Sequence, residues 1–114
     1  MFPTDKDWKK KLKCFKQWRN VPDDFLGECY VEDIDQIFWL NPNKVYHRIN
    51  GPAVIYKSGE QWWQHGKLHR LDGPALVTVN TKKYFLFDRL LEEDEFWKHP
   101  LVLEHKLNSI LNKL

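Results

Sequence analysis

At 114 residues the chain has the size of one domain, able to bury roughly two-thirds of its unfolded surface. Its 18 basic and 16 acidic side chains leave a net charge of +2, short of a typical nucleic-acid binder, while 15% aromatic residues supply core material without metal or disulfides. No apolar run approaches the ~18 residues of a membrane span, Met1-Phe2-Pro3-Thr4-Asp5 lacks the apolar stretch of a signal peptide, and two cysteines make no disulfide framework, so a reduced protein of the cytoplasm is expected.

Charge comes in blocks. Residues 1–20 carry seven basic and two acidic side chains, net +5, and residues 21–40 carry six acidic and no basic ones, net -6. The first block predicts an amphipathic helix over residues 4–19, capped by Thr4, with Asp5 and Asp7 at its positive end. Trp8, Leu12, Phe15 and Trp18 would form its apolar stripe. Lys6, Lys9, Lys10, Lys13 and Lys16 would share the opposite face, either as a solvated surface or as an electrostatic contact for phosphates or an acidic partner. Val21-Pro22 ends this helix, because the residue before proline is pushed out of the α region.

The middle of the chain repeats. At an offset of 22, His47 and Arg48 fall on His69 and Arg70, Asn50 on Asp72, Gly51-Pro52-Ala53 on Gly73-Pro74-Ala75, and Trp62-Trp63 on Tyr84-Phe85. A worn third copy precedes these, with Phe38-Trp39-Leu40-Asn41-Pro42-Asn43-Lys44 echoing Gln61–Lys67 and one extra residue at Val45. Such self-similarity signals stacked supersecondary units. Each unit reads as a β-hairpin: 52–57 with 60–64 around Ser58-Gly59, then 74–79 with 82–87 around Asn80-Thr81. A first hairpin is expected from 28–33 and 36–40.

Helix resumes over 92–98, is interrupted at His99-Pro100, and continues with an apolar stripe of Leu103, Leu107, Ile110, Leu111 and Leu114. That stripe is expected to lie on the sheet or on the N-terminal helix, with a helix of another chain, and hence a homodimer, as the alternative. The fold class is therefore α+β. An antiparallel β-meander of about six strands, built from 22-residue hairpin repeats over 24–89, is flanked by N-terminal and C-terminal amphipathic helices in a single domain.

Tyr46–Ala53 and Leu68–Ala75 resemble the HR-x-D-GPA, MORN-like repeats of proteins encoded by large tailed bacteriophages. Gln61–Lys67 is similar to the aromatic strand and turn that link such repeats, Asp24-Phe25-Leu26-Gly27 to their opening, and 91–97 to their acidic closing helix. The resemblance covers 24–97 and implies phage origin and repeat architecture more than an activity.

Adjacent aromatics in a strand point to opposite faces, so Trp39, Trp62, Trp63 and Tyr84 are candidate partner-binding residues wherever one face stays uncovered. His47, Arg48, Gly51, Pro52, His69, Arg70, Asp72, Gly73 and Pro74 are expected to be repeat scaffold, since a repeated motif serves a repeated structural job. His47, His65 and His69 could approach one another, but no cysteine or carboxylate completes a metal shell at a recognisable spacing. Cys14 lies among lysines with no histidine near it in sequence, and no nucleophile elbow, P-loop or zinc-protease motif occurs. The expectation is a protein-binding module without enzymatic activity, cofactor or metal, which inhibits a host bacterial protein in the host cytoplasm. A nucleic-acid binder using the lysines and a virion-associated structural protein are the alternatives.

Overall fold

A computed structural model describes residues 2–114. Where a helix is expected at the N-terminus, the chain makes two single 3₁₀ turns, Trp8–Lys11 and Trp18–Asn20, on either side of a short strand β1 (Lys13–Phe15). The apolar spacing of Trp8, Phe15 and Trp18 is real, but it serves the sheet rather than a helical stripe. β1 lies parallel to β2 (Gly27–Val31), and Phe15 O and Lys16 O accept hydrogen bonds from Glu32 N and Asp33 N at 2.9 and 3.0 Å. Phe15 packs edge-on to Phe25, Trp18 lies 4.8 Å from Phe38, and Trp8 meets the edge of Tyr30. A helix would also have stacked Lys6, Lys9, Lys10, Lys13 and Lys16 at repulsive i,i+3 and i,i+4 spacings.

Beyond β1 the sheet is an antiparallel meander. β2 pairs with β3 (Gln36–Asn41), β3 with β5 (Val54–Tyr56), β5 with β6 (Gly59–Gln61), β6 with β9 (Leu76–Thr78), β9 with β10 (Lys82–Leu86) and β10 with β11 (Arg89–Leu91). β4 (Val45–Tyr46) joins β3, and β7 (Trp63–Gln64) with β8 (Lys67–Leu68) forms a separate two-stranded ribbon. The six expected strands become eleven among the described residues: β1, β4, β8 and β11 are added, and the strand through Trp62-Trp63 breaks at Trp62 into β6 and β7, whereas those through Phe38-Trp39 and Tyr84-Phe85 run on unbroken.

The repeat is visible in the backbone. Trp39 N and Trp62 N donate to Ala53 O and Ala75 O, both at 2.7 Å, while His47 N and His69 N donate to Trp39 O and Trp62 O, both at 3.0 Å. Gly66 N and Asp88 N donate to Tyr46 O and Leu68 O at 2.9 and 2.8 Å. The turns at His65-Gly66 and Phe87-Asp88 both have two consecutive positive φ angles (50 and 76, then 49 and 68), the backbone twist a tight hairpin needs. Asn43 and Lys44 take the same conformation in the first copy, so its extra residue lies before this turn, not at Val45.

Core packing divides in two. Val21, Cys29, Val31, Phe38, Leu40 and Val54 form one buried cluster, and Tyr84, Leu86, Leu91, Phe96 and Val102 form the other beneath α1 (Glu93–Lys98) and α2 (Pro100–Leu111). Glu93, Asp94 and Glu95 favour the first turn of α1 electrostatically, Glu95 accepts from Glu92 N, and His99 caps α2 by accepting from Leu101 N at 3.1 Å. The radius of gyration, 15.4 Å, exceeds the about 13 Å of a compact chain this long, in keeping with extents of 42 × 33 × 30 Å.

Candidate partner-binding surfaces

Each arginine ties the turn that follows it to an aromatic ring of the preceding copy. Arg48 Nη1 donates to Pro52 O at 3.2 Å and Arg70 Nη1 to Pro74 O at 3.0 Å. Their guanidinium groups lie over aromatic rings, Arg48 4.3 Å from the centre of Trp39 and Arg70 3.8 Å from that of Trp62. Gly51 and Gly73 are glycines because of this: a Cβ would sit 2.5 Å from Arg48 Cζ and 2.9 Å from Arg70 Cζ, and neither residue has positive φ. The sequence places the arginines and glycines together, but not the rings eight or nine residues upstream on which the arginines stack.

The histidines hold the turns. His47 Nδ1 accepts from His65 N at 2.9 Å, and His69 Nδ1 accepts from Phe87 N at 3.2 Å, so both must carry their proton on Nε2. The two rings stack on different partners, His47 on His65 and His69 on Phe87, and no group of three metal-ligating side chains forms among the described residues. Burial lowers the pKa of both, and His65 lowers that of His47 further. The neutral form is thus favoured in the folded state, and its stabilisation is complete above the ordinary histidine value of about 6.5. As pH falls below that value the unfolded chain takes up protons first and folding weakens. The melting temperature is expected to drop as pH goes from about 7.5 to about 5.5, and His69→Asn, whose Oδ1 can replace Nδ1 as acceptor, should flatten the profile. A profile no flatter in His69→Asn contradicts this account.

The candidate aromatic residues are mostly occupied. Tyr84 is buried against Phe96 and Trp97, so its ring presents no surface to a partner. Trp63 is half-buried beside Tyr46 and its Nε1 donates to Gln61 Oε1 at 2.9 Å. Trp62, under Arg70, donates to Glu60 Oε2 at 2.7 Å. Trp39 differs, because its Nε1 is buried without a hydrogen-bond partner among the described residues. An orphaned donor of this kind costs about 1–3 kcal/mol.

The lysines expected on one helical face are dispersed over irregular backbone. Lys9 lies over the rings of Trp8 and Tyr30, Lys13 over Phe15, and Lys10 pairs with Asp7 at 3.6 Å, while Lys6 and Lys16 are exposed. Lys11 is paired with Asp5. Cys14 is exposed, whereas burial pushes the Cys29 thiol up to about 11 and keeps it protonated.

Among the described residues, α2 carries more exposed large hydrophobic side chains than any other element. Val102 is its buried residue, and Val102, His105, Lys106 and Ser109 line a groove against Leu71, Asp72 and Trp97. The polar side of the helix thus faces the domain, and Leu103, Leu107, Ile110, Leu111 and Leu114 are 50–96% exposed. The expected docking of this stripe on the sheet does not occur, because Val102, fixed beside Phe96, sets the rotation of the helix. No helix of the described residues is long and apolar enough to cross a membrane. No protein-family model, curated protein or solved structure matches the chain.

Proposed function

We propose that the chain is a small protein-binding module that seats a partner on the outward face of α2. The observation carrying this reading is the inverted amphipathicity of that helix: its apolar stripe faces solvent while its polar side faces the fold. An exposed contiguous apolar stripe of this kind marks an interaction surface. An amphipathic helix presenting residues at i, i+4 and i+7, here Leu103, Leu107 and Ile110, fits a hydrophobic groove on another protein. Burying each half-exposed aliphatic side chain contributes about 1 kcal/mol. The HR-x-D-GPA likeness supports a phage-encoded accessory protein, and the partner is then a host bacterial protein that the chain inhibits in the host cytoplasm.

The test compares the native chain with a Leu107→Glu, Ile110→Glu double variant. Both side chains are more than half exposed, so melting should be nearly unchanged. Tagged proteins are incubated with nuclease-treated bacterial lysate, and retained proteins are identified by mass spectrometry. A nuclease-resistant partner held by the native chain and lost with the variant is expected. Retention indifferent to the variant, or abolished by nuclease, would overturn the reading.

A further inference from the structure

We propose that the first repeat unit carries a second, independent site, built from Arg48, Trp39, Leu26 and Ile49, which recognises a carboxylate side chain flanked by apolar residues on a partner protein. The second unit serves as an internal reference, because the two share backbone hydrogen bonds and the arginine-on-tryptophan stack. In that second unit both donors are satisfied by carboxylates of the chain itself. Asp72 Oδ1 accepts from Arg70 Nε at 2.8 Å, and Glu60 Oε2 accepts from Trp62 Nε1 at 2.7 Å.

The first unit lacks both acids. Asn50 stands where Asp72 does, and Ile37, a buried core residue, stands two before Trp39 as Glu60 stands two before Trp62. Among the described residues Arg48 has no ion pair and Trp39 Nε1 has no acceptor. The apolar cover is missing as well. Leu71 packs against the cluster of Phe96 and Val102, but its counterpart Ile49 is 63% exposed and lies beside Leu26, 69% exposed. Leu26, Gly27, Trp39, Asn41, Arg48 and Ile49 line one open groove of predominantly apolar surface.

A cationic fork stacked on Trp39, between two uncovered aliphatic side chains, matches an acidic residue with aliphatic neighbours; Trp39 Nε1, itself buried, lies beneath the fork and does not meet the partner. The planar guanidinium pairs with carboxylate through parallel charge-assisted hydrogen bonds, and Leu26 and Ile49 would take the flanking side chains. The site shares no residue with the α2 stripe, so either can fail without the other.

The probe is acetyl-Leu-Glu-Leu-amide, with acetyl-Leu-Gln-Leu-amide as its neutral counterpart. Each is titrated into the ¹⁵N-labelled full chain, with the Trp39 and Trp62 indole N–H signals followed by NMR. The glutamate peptide should move the Trp39 signal and leave that of Trp62 in place, and the glutamine peptide should bind about tenfold more weakly. Asn50→Asp places a competing negative charge two residues from Arg48, at a position whose positive φ Asp72 does not share. Position 50 has φ 66, which aspartate tolerates as asparagine does, so the variant should fold and should weaken glutamate-peptide binding by about tenfold or more. An unmoved Trp39 signal, equal movement of Trp62, an equal response to the glutamine peptide, or undiminished binding to a folded Asn50→Asp chain would each overturn the proposal.

Discussion

Phe96→Ala is expected to lose about 3–5 kcal/mol of stability, out of the roughly 5–15 kcal/mol that holds a domain together. Phe96 is fully buried, 4.8 Å from the Tyr84 ring and 4.9 Å from that of Trp97, and it closes the cluster that includes Leu86, Leu91 and Val102. It is the buried residue of α1, as Val102 is of α2, so two side chains attach the helical unit to the sheet. Removing the ring leaves a cavity that neither helix can fill without losing the other contact. Urea unfolding followed by far-ultraviolet circular dichroism should show a lower midpoint, with helical signal lost ahead of the sheet. A loss below about 1 kcal/mol would mean that the helices are anchored elsewhere.

Gly59→Ala is expected to cost about 3 kcal/mol, the upper end of the range for overpacking. A Cβ at this position would lie 2.4 Å from the backbone O of Val77 and 2.9 Å from the Tyr56 hydroxyl. The carbonyl cannot swing aside, because β6 and β9 are hydrogen-bonded in register, Glu60 opposite Val77 and Gly59 opposite Thr78. The ladder joining consecutive repeat units would have to part. Gly51→Ala, by contrast, meets the end of a flexible Arg48 side chain and should be felt less. Melting temperatures of the two variants decide the order, and a milder Gly59→Ala would contradict it.

The glycine also shows where sequence reading stops. Ser58-Gly59 has the composition of a two-residue turn, yet the chain reverses at Lys57-Ser58 and Gly59 is the first residue of β6. What demands glycine there is a carbonyl 18 residues away, which no local pattern records. The doubled HR-x-(N/D)-GPA motif, by contrast, is short-range in its arginine–glycine contacts, so its repeat spacing and the hairpins around it were legible. The N-terminal segment departs from its local pattern for the opposite reason. Its aromatic spacing is genuinely helical, but pairing of Lys13–Phe15 with Cys29–Val31 and packing of Trp18 on Phe38 override a local preference weakened by like charges. On α2 the stripe was legible and its orientation was not, since one side chain, Val102, decides which way the helix turns. Trp39 was a candidate for its aromaticity alone; its unpaired N–H emerges from comparing two units in space.

The position of β1 gives the N-terminal lysines a different meaning. β1 is the outermost strand of the sheet, paired on one side with β2 and open on the other. An open strand edge is a template on which another chain can add a strand, the first step toward aggregation. This edge is three residues long, carries Lys13 and is followed by Lys16, and shortness and lysine are two of the devices by which natural sheets discourage such growth. A second copy adding a strand here would bring its own Lys13 and Lys16 against these, and the like charges oppose that pairing.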